Sequence, residues 1–196
     1  SGTGSGKTES FLLPLLTQLV KEAKGIEKPE PNLWWDRDLT KVRWSPMRSP
    51  GPRPAALRSL ILYPTNALVE DQMTRLRLAI RSLRADPGVD LWFGRYTSAS
   101  PGNGPLPTPK QTSNVHRAAQ ELRSIGRDFF EVQQSGVPRS VLGQFADPAD
   151  GEMICRWDMQ DSPPDILVTN YTMLNIMLMR EIEDSIFNDT RQWLRS

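Results

Sequence analysis

The sequence carries a single cysteine, Cys155, and a single histidine, His116. One thiol cannot close an internal disulfide, and these two residues cannot between them supply the ligands of a structural zinc site. Cys155 is expected to be a small buried apolar residue and not a nucleophile. No apolar run approaches the ~18 to 20 residues that a membrane span needs, and no charged-then-apolar leader opens the chain. A soluble, cytoplasmic protein is the expectation. An excess of one charge sign is missing too: 24 Lys+Arg stand against 23 Asp+Glu, a formal net charge of +1. That excludes a strongly basic module that holds nucleic acid by bulk electrostatics. A local cationic groove is still open, because 18 of the cations are arginine, the side chain suited to phosphate. There is no initiator methionine, and the chain starts inside a functional loop, so a piece of a longer protein is expected.

A length of 196 residues suffices for one domain with a proper core and long insertions. Phe11, Leu12, Leu15, Leu16 and Leu19 recur at helical spacing and predict a helix over 7–24, stopped by Gly25 and kinked or started by Pro14. From Glu27 to Pro54 six prolines and the tryptophans Trp34, Trp35 and Trp44 interrupt any period, which predicts an insertion outside the core. Its tryptophans are expected to be local packing anchors or contacts to another domain, with base stacking the alternative. Leu57 to Tyr63 predicts a strand buried on both faces, ended by Pro64. A helix follows over about 66–84, with Leu68, Leu76, Ala79, Ile80 and Leu83 on one stripe and Arg77, Arg81 and Arg84 on a solvated face.

Asp86, Pro87 and Gly88 predict a turn, and Val89 to Phe93 a second strand. Ser98 to Lys110, dense in Pro, Gly and Ser, is expected to be mobile. A helix is predicted over about 114–130, no period is visible over 133–164, Asp165 to Thr169 predicts a buried strand, and a helix follows over about 171–180. Apolar strands alternating with helices imply an α/β domain on a mainly parallel sheet, interrupted at about 27–56 and 98–163 by insertions.

Ser1-Gly2-Thr3-Gly4-Ser5-Gly6-Lys7-Thr8 is a phosphate-binding loop opening a helix. Its glycines let successive backbone N–H groups turn inward, the helix N-terminus adds partial positive charge, Lys7 can reach the β- and γ-phosphates, and the Thr8 hydroxyl can ligate Mg²⁺. Such a loop says nucleotide, and many enzyme classes share it. Ser1 stands where the strict pattern has glycine.

The loop, then Leu62-Tyr63-Pro64-Thr65-Asn66-Ala67-Leu68 with Asp71-Gln72, then Gly94-Arg95-Tyr96-Thr97, then Pro164-Asp165-Ile166-Leu167-Val168-Thr169-Asn170-Tyr171-Thr172-Met173-Leu174, resembles the first RecA-like domain of DEAD/DEAH-box helicases of superfamily 2, in the branch of large bacterial DNA-repair and phage-defence helicases. The resemblance implies a P-loop NTPase domain using ATP and Mg²⁺. Gly2, Thr3, Gly4, Ser5, Gly6, Lys7 and Thr8 would bind ATP, with Lys7 and Thr8 catalytic and Thr8 on the metal. Pro64, Thr65, Asn66, Arg95, Tyr96, Thr97, Thr169 and Asn170 would line one nucleic-acid strand, DNA ahead of RNA. Each of these turns follows a predicted strand, where open α/β sheets place their ligands, and hydroxyls, amides and helix N-termini suit phosphate and sugar contacts. Capping of the following helix is a compatible role for Thr65, Asn66, Thr169 and Asn170, while Tyr171 and Met173 can equally be packing residues.

Two departures stand out. Ser98 takes a position where such relatives usually have glycine, and no Asp-Glu-x-His or Asp-Glu-x-Asp occurs in the sequence. The resemblance places that acidic motif shortly after a region like Gln192-Trp193-Leu194-Arg195, and a buried strand before Ser1. The domain is therefore expected to be incomplete at both ends, to need a second RecA-like domain of the same parent chain, and to be unstable alone. The implied activity is an ATP-dependent helicase or translocase with repair or defence partners and no membrane. A non-catalytic helicase remnant and an unrelated P-loop NTPase are the alternatives.

Overall fold

The computed structural model describes residues 5–26, 30–38, 40–83, 89 and 91–196, and the side chains from Ser10 onward. Ser1, Gly2, Thr3 and Gly4, together with Arg84 and the expected turn at 86–88, lie outside the described residues.

Among the described residues four strands form one sheet in the order β1-β4-β2-β3, and all three pairings are parallel. They are β1 Ser59–Tyr63, β2 Phe93–Tyr96, β3 Glu152–Met153 and β4 Ile166–Asn170. The parallel α/β class expected from apolar strands is what the chain adopts. β4 is buried along its whole length, and its alternation divides the core in two. Ile166 and Val168 face a cluster with Ile61, Leu91 and Phe93, covered by α1 Ser5–Ala23 and α2 Asn66–Leu83 through Leu16, Leu19, Met73 and Ile80. Leu167 faces the other cluster, covered by α3 Thr112–Gln134, α5 Arg156–Asp161, α6 Tyr171–Met179 and α7 Asp184–Arg195. A single turn, α4 Arg139–Leu142, leads toward β3. At the N-terminal end of the sheet, Asp165 ties three strands together: its carboxylate accepts from Arg53 at 2.6 Å and from the Trp92 N–H at 2.8 Å, and its carbonyl from the Ser59 N–H at 2.9 Å.

α1 runs through Pro14 to Ala23 and is followed by Gly25, whose φ of +80° is the left-handed stop that glycine adopts without penalty. β1 is less buried than its apolar run predicts: it pairs only with β4 among the described residues, and Leu60 is 38% exposed. β2 begins at Phe93, where the expected strand ended, so Gly94, Arg95 and Tyr96 are strand residues and not a turn. Glycine is required at 94 because an added Cβ would sit 2.5 Å from the Met153 carbonyl oxygen and 2.7 Å from the Met159 sulfur.

Three expectations about exposed segments are corrected. The proline- and tryptophan-rich stretch is irregular apart from one 3-10 turn, Trp34–Asp36, yet Trp34, Trp35, Val42 and Met47 are core residues. The buried Asp158 carboxylate anchors it, accepting from both Trp34 (3.2 Å) and Trp44 (3.0 Å) indole N–H groups and from the Met47 N–H (3.2 Å). Arg77 and Arg81 are not solvated. Arg77 is 4% exposed and grips the Glu152 carboxylate at 2.7 and 2.9 Å, while Arg81 donates to the Leu142 and Phe145 carbonyls over the Phe129 ring. Finally, Ser100, Pro101 and Gly102, at the head of the stretch expected to be mobile, are packed and buried. Cys155 is free and fully buried, and burial pushes its thiol pKa well up.

Candidate nucleic-acid interface

The site is built where β1, β4 and β2 end side by side. Pro64 stops β1, because it has no N–H for a further ladder bond, and the chain turns into α2. Pro64, Thr65 and Asn66 are exposed there. Thr65 starts the helix: its carbonyl accepts from the Val69 N–H at 3.2 Å and its hydroxyl lies 3.5 Å from the Leu68 N–H. One strand over, Asn170 ends β4 and caps α6, its side-chain oxygen accepting from the Met173 N–H at 2.7 Å. The Asn170 side-chain amide then donates to the Asn66 side-chain oxygen at 2.6 Å. Asn170 itself is only 8% exposed, so against expectation its side chain is spent on capping α6 and holding Asn66, and the exposed surface here belongs to Pro64, Thr65 and Asn66.

The other predicted strand-binding residues divide differently. Thr169 is fully buried, and its hydroxyl donates to the Tyr96 carbonyl at 2.5 Å, stapling β4 to β2. Tyr96 is also fully buried; its hydroxyl donates to Glu183 at 2.7 Å and accepts from Gln160 at 2.9 Å, and burial raises its pKa. Thr97 is 1% exposed, its N–H donating to the Ser100 hydroxyl. These three side chains have no surface to offer a strand and instead hold the strand ends in register. Arg95 is partly exposed and forms an ion pair with Glu70 of α2, so its charge is already matched within the fold. In the opposite sense, Tyr171 is 54% exposed beside Asn170, whereas Met173 is core.

Of the phosphate-binding residues, Ser5, Gly6, Lys7 and Thr8 form the first turn of α1. That turn holds no acidic residue, as an anion at a helix N-terminus requires. Among the described residues no group of three or more His, Cys, Asp or Glu is placed to hold a metal ion, and no helix is long and apolar enough to cross a membrane.

A parallel sheet with helices on both faces and polar turns gathered at the C-terminal strand ends defines a RecA-like α/β domain region. Residues 1–95 match the DEAD/DEAH box helicase family. The chain is also 31% identical, over 238 aligned positions, to Druantia protein DruE of Escherichia coli (strain UMEA 4076-1). That alignment covers all of this chain and 12% of the relative. No solved structure matches the chain.

Proposed function

We propose that the protein to which this chain belongs is an ATP-driven helicase or translocase acting in the cytoplasm on DNA, and that this segment supplies its phosphate-binding loop and part of a single-strand track. One observation carries the track: Pro64, Thr65, Asn66 and Tyr171 are exposed at neighbouring strand ends, and the buried Asn170 between them holds Asn66 through a side-chain hydrogen bond. The exposed Asn66 amide, the Thr65 hydroxyl, two helix starts and the Tyr171 ring can position phosphates and stack bases without reading sequence.

Lys7 would neutralise the β- and γ-phosphates, Thr8 would take Mg²⁺, and the backbone of residues 2–6 would cradle the phosphates. ATP supplies a phosphoryl group whose transfer to water releases the driving free energy. The acidic groups for that step are not in the Asp-Glu-x-His form anywhere in this sequence and would come from elsewhere in the parent protein, as would the cations of a second RecA-like domain. Closure between two such domains would couple hydrolysis to movement along the strand.

The test is ATP turnover by the intact protein with and without single-stranded DNA or RNA. Stimulation by DNA, abolished by Lys7→Ala while weak strand binding persists, is the expected result. Unchanged turnover in Lys7→Ala overturns the ATP-site assignment. Turnover indifferent to both strands overturns the track.

A further inference from the structure

Arg156 opens α5 and is 5% exposed. Other arginines with buried side chains have partners: Arg77 grips Glu152, Arg53 and Arg58 share Asp165 and Glu22, and Arg48 donates to the Pro163 and Arg53 carbonyls. Arg156 differs. Among the described residues its guanidinium makes no hydrogen bond and no ion pair. Of its three nitrogens only Nε is sealed from solvent, and the terminal fork, Nη1 and Nη2, is open. A buried charge without a counter-ion is costly, and burial already lowers the Arg156 pKa, so an open and unpaired fork points to an anion that arrives from outside the segment.

The surroundings supply no such anion. The guanidinium stands over the ring of the buried Tyr96, 5.8 Å from its centroid. The charged groups that act on it are Arg180 and Glu183. Glu183 is fully buried and already spent, accepting from the Tyr96 hydroxyl at 2.7 Å and from Arg180 through Nε at 3.2 Å and through Nη2. The Arg180 side chain is 38% exposed and has its Nη1 left over. Two guanidiniums are thus answered by a single carboxylate, a surplus of one positive charge.

We propose that Arg156 and Arg180 bind a backbone phosphate of the single strand at the β2 end of the track, with the Arg156 fork as the main contact. The inference rests on the track assigned under Proposed function. Position supports it: Arg156 lies against the loop that leaves β2, its N–H donating to the Pro101 carbonyl at 2.9 Å, and Arg180 closes α6, the helix that Asn170 and Tyr171 open. Nine helical residues span about 14 Å, the length of a few phosphates along a strand. Chemistry supports it too. An arginine fork matches two phosphate oxygens, a weakly hydrated guanidinium suits a buried place better than an ammonium, and the contact fixes a strand without reading its bases.

The experiment uses the intact protein and two single-stranded DNA oligomers of unrelated sequence, with affinity read by fluorescence anisotropy over a series of salt concentrations. Arg156→Gln should weaken binding about 10-fold on both sequences alike and lower the slope of log K against log salt by about 0.7, the value for one phosphate on a single strand. A neutral methylphosphonate link moved stepwise along the strand should reveal a position at which the wild type loses about the same factor and Arg156→Gln loses nothing. Because Arg156 has no ionic partner in the fold, the thermal midpoint of Arg156→Gln without DNA should not fall below that of the wild type. Arg180→Gln, at a more exposed side chain, should show a smaller loss at the same position; it carries the test if Arg156→Gln does not fold, and wild-type binding by it would then overturn the site. Wild-type affinity and salt slope in Arg156→Gln overturn the site and leave the track standing, and a lowered midpoint alongside them gives Arg156 a purely structural role. A loss confined to one of the two sequences places a base against the arginine and also overturns the site. Failure of the wild type to bind any strand overturns the track, and this site with it.

Discussion

The side-chain amide of Asn170 donates to the side-chain oxygen of Asn66 at 2.6 Å, joining two helix starts that lie 104 residues apart in the chain. Asn170 does two things at once, since its own oxygen also caps α6. Asn66→Ala should remove only the bridge, whereas Asn170→Ala should also remove the cap, at a cost of about 1 kcal/mol. Both should weaken single-strand binding by the intact protein several-fold. In a double-mutant cycle, the pair should bind no more weakly than Asn170→Ala alone. Additive losses would show that the two turns act separately.

The buried pair Arg77–Glu152 fixes the segment from Gly143 to Met153 onto α2, with both side chains about 95% buried. Removing one partner strands the other charge. Arg77→Met should cost on the order of 3–5 kcal/mol, and Arg77→Met with Glu152→Leu should recover most of it. Amide hydrogen exchange over residues 143–153 is the direct measurement. Protection unchanged in Arg77→Met would remove the pair from the stability of this region.

Gly94 and Gly126 predict opposite signs for the same substitution. At Gly94 a methyl group meets the Met153 backbone oxygen at 2.5 Å, so β2 and β3 must separate, and Gly94→Ala should cost about 1–3 kcal/mol. Gly126, inside α3, has only Pro148 at an ordinary 3.5 Å, and Gly126→Ala should stabilise by up to about 1 kcal/mol through helix propensity. Thermal unfolding midpoints of the two variants, each against the wild type, should move in opposite directions. Movement in the same direction would refute the steric account of Gly94.

The elements that sequence made legible are those whose burial leaves a period: α1, α2, α3, the strand core at Leu60–Leu62 and at Ile166–Val168, and α6. α5 was illegible for a physical reason. Arg156, Trp157, Asp158, Met159 and Gln160 are all buried, so a helix enclosed on every side shows no polar face to betray it. β3, two residues long, is too short to alternate. The arginines of α2 were misread because a charged stripe looks the same whether water or a buried glutamate 75 residues away receives it. At the candidate interface the sequence located the ends of β1 and β4 to within a residue but placed the end of β2 three residues early. It could not say that the hydroxyls of Tyr96 and Thr169 turn inward while the ring of Tyr171 turns out, because that depends on what packs above each strand.

Asp158 gives the fold a pH dependence with a definite sign. Burial is the largest influence and raises the carboxyl, opposed by the N–H donors of Trp34, Trp44 and Met47, so that it is pushed up to about 7. The unfolded value is about 3.9. Between roughly pH 4 and pH 7 the folded chain therefore holds a proton at this site that the unfolded chain has released. Stability contributed by Asp158 is fully present below that window and falls as pH rises through it, by at most about 1.4 kcal/mol per pH unit. Because Asp158 anchors Trp34, Trp44 and Met47, the loss should register in the stretch around residues 32–47. Asp158→Asn keeps an acceptor oxygen for these donors and does not titrate. Proteolytic susceptibility of that stretch, followed from pH 5 to pH 8, should rise in the wild type and stay flat in Asp158→Asn, which should be the more resistant of the two at pH 8. An equal rise in both proteins would assign the titration to another group.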